Sequence, residues 1–364
     1  MNGLKDPIGT EQIELMFSED INFFAQKELD ERSFLQKLKM KHFFAIPSLF
    51  MKRIYRILPP IFKDLFFWAW VPHRAPASKF FARTRYAELR TLFDIKLSSL
   101  TLKSVPSKLL DSVKTTFDTG IYSSYLSDIS ELDVFISDVI HYAIPNHAGA
   151  RPYFKDGKNQ KIEGSMSTYY DFSKEDNKKI SSFILERLDK DYNFHLSALA
   201  GYKCKLKNIS YSLGIVYGEN SNSEMHQDTF ASIAKGFIYL QDVSIDNSPF
   251  EYIEGSYKDA SFRSSQTNKA VISNDTQNSG ATRLRGKELD DAINRLKLKT
   301  FTGSKGLFIL ANTAAYHRKG SHNSSKPRIT LNFEIKRRGL VGKFLINLLA
   351  IVKFKILKKI KKNG

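Results

Sequence analysis

At 364 residues the chain can bury a large core, as one elaborated domain or two modest ones. An apolar content of 42% and a charged content of 26% are ordinary for a folded soluble protein, and the single cysteine, Cys204, excludes an intramolecular disulfide and fits a reducing compartment. The net charge of +18 is uneven: from Lys336 onward there are ten Lys or Arg and no acid, interleaved with Leu, Ile, Val and Phe. That mixture points to an anionic membrane surface, and no zinc-finger spacing or RNP-like aromatic motif supports nucleic acid.

In chain order, Met1–Asp20 lacks the basic start and apolar run of a secretory signal, so cytosolic residence is expected, with possible attachment to the inner face of a membrane. The first region, 1–116, is expected to be a helical layer packing on the core. Glu11–Leu38 alternates apolar and charged residues at helical spacing. Phe43–Trp70 is rich in Phe, Ile, Leu and Trp, with Pro47, Pro59 and Pro60 as breaks, which predicts short amphipathic helices, either buried or facing a membrane. Next, Ser173 offers an N-cap to a helix over 174–189 with Asp176 in its first turn, and Ile180, Phe183, Ile184 and Leu188 share one face of it.

From Gly201 the period becomes that of strands. Gly201–Val216 (with Cys204 in it), Lys235–Val243, Gly306–Leu310 and Arg328–Ile335 carry β-branched and aromatic residues bounded by turn formers. Ser261–Gly286 is polar and expected to be a mobile loop, followed by a short helix over Lys287–Lys297. Strands joined with few helices between them predict a jelly roll over 117–338 rather than a parallel sheet. The tail, 339–364, is apolar and basic but interrupted by Lys343 and closed by Lys353, Lys355, Lys358 and Lys359, too short an apolar run to span a bilayer. Two alternatives stand for it: an interfacial helix with lysine heads near lipid phosphates, or a helix docked on the protein's own N-terminal layer.

The chemistry concentrates at Met225-His226-Gln227-Asp228. In an extended segment, residues two apart point the same way, so His226 and Asp228 can converge on one metal. A His-x-Asp pair alone is a weak signal in a chain of this length. With a distant histidine it becomes the two-His, one-carboxylate facial triad of non-haem Fe(II) oxygenases, which leaves three positions open: two for 2-oxoglutarate and one for O₂. Gly306–His317 supplies a strand ending near such a histidine, with His322 as the rival. Arg328 follows, and its guanidinium fork matches the far carboxylate of 2-oxoglutarate; Thr330 is on the same side.

On these blocks the sequence resembles the phytanoyl-CoA dioxygenase family of Fe(II)/2-oxoglutarate oxygenases. The resemblance rests on His226-Gln-Asp228; on Gly236–Val243 followed by Asn247-Ser-Pro-Phe-Glu-Tyr-Ile-Glu-Gly255-Ser256; and on Gly306 through His317 to Arg328. It covers about Met225–Ile335. It implies an α+β fold with a double-stranded β-helix (jelly roll, cupin-like) core, Fe(II) held by His226, Asp228 and His317, and oxidative decarboxylation of 2-oxoglutarate to succinate. It departs from the family's pattern at Ser248, where a Gly usually precedes the Pro, and at Tyr257, where a His often follows Gly-Ser. The intact Asp228 favours hydroxylation over halogenation, because halogenating relatives carry a small residue there.

Other candidates are weighed beside these. His141, His147 and His195 have no companion carboxylate at ligand spacing, which makes them structural or surface groups. Tyr217 and Tyr239 either approach the cosubstrate or line the barrel. Arg263, Arg283 and Arg285 either receive an anionic group of the substrate or belong to a solvated loop. Glycine-rich phosphate loops and a nucleophile elbow are absent from the sequence, so nucleotide hydrolysis, dinucleotide chemistry and serine hydrolysis lack support. The expected function is a hydroxylase of a small or lipid-like molecule; the alternatives are a catalytically silent jelly-roll scaffold and a non-oxidative cupin enzyme.

Overall fold

The structure, a computed structural model, describes residues 83–363 apart from 133, 135–136, 138–150, 156–157, 163–166, 173, 189, 207–208, 217, 219–222, 273–281 and 325. The expectations for Glu11–Leu38 and Phe43–Trp70, and for His141, His147, Ser173 and Tyr217, fall outside these residues.

Helices open the described part: α1 (Tyr86–Ser99) and α2 (Leu110–Thr119), the latter stopped by Gly120 at φ +82°, whose N–H donates to Thr116. Then come β1 (Ile121–Tyr125), a hairpin of β2 (Arg151–Lys155) and β3 (Lys158–Ile162), β4 (Ser167–Asp171), and helices α3 (Lys174–Arg187) and α4 (Tyr192–Ala200). Strands β5 (Tyr211–Val216), β6 (Ala234–Tyr239), β7 (Phe250–Ile253), β8 (Leu298–Phe301), β9 (Leu307–Asn312), β10 (His317–Lys319) and β11 (Arg328–Glu334) follow. Helices α5 (Ala260–Ile272) and α6 (Gly286–Arg295) interrupt them, and α7 (Leu340–Asn363) ends the chain.

The large sheet has the order β1-β9-β6-β11-β5-β4 and the small one β10-β7-β8, with antiparallel pairing in both. From β5 onward the chain alternates between them: β5 large, the His226 segment bridged to β10 of the small sheet, β6 large, β7 and β8 small, β9 large, β10 small, β11 large. That alternation winds a double-stranded β-helix, the jelly roll expected from the strand pattern.

Period-two sequence gives each large-sheet strand two different faces. Outward, Leu213 and Ile215 of β5, Ile238 of β6, Phe308 and Leu310 of β9, and Leu331 and Phe333 of β11 pack with Ile180 and Ile184 of α3 and Leu196 and Leu199 of α4. Inward, Tyr239 and Ile309 meet Phe250, Tyr252 and Phe301 of the small sheet. Each such side chain is worth about 1.5–3 kcal/mol on burial. A one-residue slip would exchange the faces, which fixes the register. Across from Phe333, Gly236 has no room for a side chain: a Cβ there would lie 1.9 Å from the ring.

Several expectations need correction. The strand anticipated from Gly201 begins only at Tyr211, because Gly201 (φ +78°) caps α4 and the following backbone bonds to side chains, Lys203 N–H to Asn347 and Cys204 N–H to Ser197. Cys204 is therefore not in a strand; burial pushes its thiol up to about 12, so it stays protonated. The polar stretch from Ser261 is not a loop over its first half: α5 forms because Asp259 caps it, accepting from the Phe262 N–H, and because Arg263 is anchored inside. Strands β1 and β4, which the sequence did not announce, extend the large sheet at its two edges.

Helix α7 docks by buried polar groups together with Leu340 and Ile346. Lys343, fully buried, pairs with Asp94 of α1 at 2.7 Å and donates to the Ser232 carbonyl, and Asn347 donates to the Leu97 and Gly201 carbonyls. Of the two alternatives for the tail, docking on the protein describes its inner face; the outer face is apolar and exposed. Among the described residues no helix is long and apolar enough to cross a membrane.

Candidate metal centre

Two backbone hydrogen bonds, His226 N–H to His317 O at 2.9 Å and His317 N–H to His226 O at 2.8 Å, bring the two histidines face to face although 91 positions separate them. Asp228, two residues on and on the same side as His226, is held by its own N–H to the Thr313 carbonyl. The result is one cluster: His226, Asp228 and His317 place their ligand atoms within 4.8 Å of one another. His226 Nε2 lies 3.5 Å from Asp228 Oδ1 and His317 Nε2 lies 3.6 Å from Oδ2. Among the described residues no other cluster of His, Cys, Asp and Glu has this form.

The tautomers follow from the partners. His226 Nδ1 is 2.8 Å from the Glu224 carbonyl and His317 Nδ1 is 2.9 Å from the Ala315 carbonyl. A carbonyl only accepts, so each Nδ1 carries a proton, and each Nε2 is aimed at Asp228, as a donor to its carboxylate when the ring is protonated and as a ligand lone pair when it is not. Carbonyl-oriented imidazoles of this kind are how proteins prepare metal ligands. Burial lowers the His226 pKa and favours the neutral, ligating form.

Burial alone would raise the Asp228 carboxyl, but the Lys235 ammonium, aided by the two imidazoles, holds it well below the usual range. Lys235 Nζ lies 2.9 Å from Asp228 Oδ2 and 3.5 Å from Glu334 Oε2, and the two carboxylates hold it protonated against the pull of burial. The Asp228 side chain keeps 20% of its exposure, so the cluster opens to solvent on one side.

The inner face of β11 carries Arg328, Thr330, Asn332 and Glu334, alternating with the outward Ile329, Leu331 and Phe333. Arg328 is buried, and its Nη1 donates to the Ser248 carbonyl. Thr330 is buried on the same face, its hydroxyl 3.4 Å from the Gly214 carbonyl. Tyr239, across the sheet from Thr330, donates to the Phe301 carbonyl at 2.8 Å and accepts from the Phe250 N–H at 3.0 Å, so its hydroxyl ties the two sheets together.

Two residues were not anticipated. One is Lys235; the other is Lys319, two residues beyond His317 on the same buried face of β10. Burial lowers the Lys319 pKa to about 7 and the like charge of Arg328 pushes it the same way. A His-x-Lys on a short strand was the available signal. Two buried cations side by side form a site suited to an anion.

The remaining candidates have structural tasks. His322 sits outside the cluster, 3.0 Å from Ser248 Oγ. Buried His195 bonds Thr116 at 2.7 Å and stacks on Tyr122. Arg263, read either as a receptor for an anionic group or as a charge on a solvated loop, is fully buried: it donates to the Tyr257 and Phe230 carbonyls and lies 3.4 Å from Gln227, between the two candidate ligands in sequence. Arg283 and Arg285 pair with Glu224 at the surface. Ser248 adopts φ +48°, a left-handed conformation that glycine holds more easily, and Tyr257 is buried with its hydroxyl on the Phe117 carbonyl.

No family model matches the chain, and no curated protein does. Among solved structures, it is similar to EctD from S. alaskensis with 2-oxoglutarate and 5-hydroxyectoine at 14% identity and a TM-score of 0.39, covering 64% of this chain and 76% of that one. The epimerase SnoN in complex with Fe3+, alpha ketoglutarate and nogalamycin RO matches at 12% identity and a TM-score of 0.38, covering 63% and 84%. The carbocyclase SnoK from nogalamycin biosynthesis matches at 11% and 0.36, covering 64% and 84%. Such distant likeness assigns no activity to this chain.

Proposed function

We propose that the protein is a non-haem Fe(II)- and 2-oxoglutarate-dependent dioxygenase that hydroxylates a small-molecule or lipid-like substrate. The observation that carries the proposal is the convergence of His226, Asp228 and His317, with both imidazoles locked in the tautomer that offers Nε2. Two nitrogens and one carboxylate on one side of a point fit a facially bound iron with three positions left over.

Bound there, ferrous iron with 2-oxoglutarate and O₂ supplies oxidative decarboxylation to succinate and CO₂ and the oxidising power for C–H hydroxylation. The chain's own residues do the rest. The Glu224 and Ala315 carbonyls orient the imidazoles, and Lys235 with Thr313 orients Asp228. Arg328 offers its fork to the far carboxylate of the cosubstrate, Thr330 a hydroxyl, and Lys319 a second positive charge. Phe250, whose ring centroid lies 5.7 Å from that of His317, and the inner-sheet cluster around Tyr239 exclude water from one flank.

The test is succinate formation by the full chain from 2-oxoglutarate, Fe(II) and O₂ across a panel of candidate substrates. Turnover that His226→Ala and Asp228→Ala abolish is the expected result. Undiminished turnover in either variant, or a wild-type chain that binds no Fe(II), would contradict the proposal and favour a silent jelly-roll binding protein.

A further inference from the structure

A helix on the surface of a soluble protein turns its apolar stripe inward and its charges outward. Helix α7 turns apolar groups outward as well. Its inner face is anchored by the buried Lys343 and Asn347 beside Leu340 and Ile346. Outside, Phe344, Leu345, Leu348, Leu349, Val352 and Ile356 are between 44% and 69% exposed. At 100° per residue, positions 345, 348, 349, 352 and 356 form one stripe. Lys353 and Lys355, both exposed, flank it on either side.

Helix α1 repeats the pattern on a smaller scale. Its inner side holds Asp94, the partner of Lys343, and Leu97 O, the acceptor of Asn347. Leu89, Leu92 and Phe93, spaced i, i+3 and i+4, are 45–53% exposed, with Lys96 one turn on. Apolar groups clustered this way mark an interaction surface, whereas single exposed leucines do not.

Charge selects the occupant. The last 29 residues carry ten cations and no anion. A second copy of this face would set cations against cations, whereas a surface of lipid phosphates answers both the stripe and its flanking lysines. With 24 residues, α7 is about 36 Å long and is not apolar enough to cross a membrane, so it lies along one.

The geometry points to the outer faces of α7 and α1 as a docking surface for an anionic lipid bilayer, with the stripe in the headgroup–acyl boundary and Lys353 and Lys355 at the phosphates. This surface is independent of the oxygenase proposal. The buried anchors give it a fixed orientation on the protein: Asp94 also accepts from the Ser232 N–H, four residues from the ligand Asp228.

Co-sedimentation of the full chain with vesicles of phosphatidylcholine, with and without phosphatidylserine, tests it without reference to activity. The chain should pellet with the anionic vesicles and be released by salt. Lys353→Gln should weaken that binding about fivefold. The pair Leu349→Asp and Val352→Asp should weaken it roughly tenfold or more. Both variants should keep the wild-type Tm, because the altered positions face solvent. Equal pelleting with neutral vesicles, or none with anionic ones, overturns the inference. So does concentration-dependent self-association that Leu349→Asp abolishes, which would make the stripe an interface between copies.

Discussion

Two lysines of the same jelly roll, Lys235 half-buried and Lys319 buried, live in opposite surroundings. Lys235 lies between the carboxylates of Asp228 and Glu334, which keep it charged. Lys319 lies beside Arg328, and burial and that like charge lower its pKa to about 7. The metal end of the site is thus stocked with acids and one compensating cation, while the other end gathers cations. Such a division suits a metal cation with a dianion beside it.

Substitutions can break this comparison, beginning with the largest effect. His226→Ala should lower Fe(II) affinity well beyond the ~10–100-fold that loss of a mere orienting partner costs, read by anaerobic metal titration. Lys235→Met should destabilise the metal-free protein by about 1.5–3 kcal/mol, because it leaves two half-buried carboxylates without their shared cation, and added Fe(II) should recover part of that Tm loss. Arg328→Ala removes charge-assisted bonds worth about 1.5–3 kcal/mol, so the Kd for 2-oxoglutarate should rise roughly 10–100-fold while Fe(II) binding persists.

Lys319→Met sharpens the contrast, since its expected cost is smaller than that of Lys235→Met. Removing one of two neighbouring buried cations relieves their mutual repulsion, so the Tm of the metal-free protein should fall less than in Lys235→Met, while 2-oxoglutarate binding weakens. An equal fall in Tm in the two variants would show that the two lysines are compensated alike. Smallest of all, Ser248→Gly should change stability by less than about 1 kcal/mol: relief of the left-handed backbone offsets the lost contact with His322, and thermal unfolding reads the balance.

How legible this was in the sequence depends on the range of the interaction. Arg328-Ile-Thr-Leu-Asn-Phe-Glu334 announces its two faces by strict alternation, and the structure places them as read. His226-x-Asp228 is likewise local, and the strand spacing of its pair is a property of any extended chain. The partners were not legible. Lys235 matters only because β6 pairs with β11 and brings it to Glu334, a register that no short window encodes. Arg263 looked like a loop charge because its acceptors, the Tyr257 and Phe230 carbonyls, are backbone atoms with no residue signature. Gly201 read as a strand start although it is a helix cap; a glycine serves either role until the helix before it is recognised. The buried polar anchor of α7 was hidden as well, since Lys343 reads as an interruption until Asp94, 249 positions earlier, is seen beside it.

Anaerobic titration of the full chain with Fe(II) and then 2-oxoglutarate, followed by visible absorption, addresses the central claim most directly. A metal-to-ligand charge-transfer band that appears only with both, saturates at one equivalent of iron and vanishes in His226→Ala is the expected result. A band of undiminished strength in that variant, or none in the wild type, would contradict an iron site built from His226, Asp228 and His317.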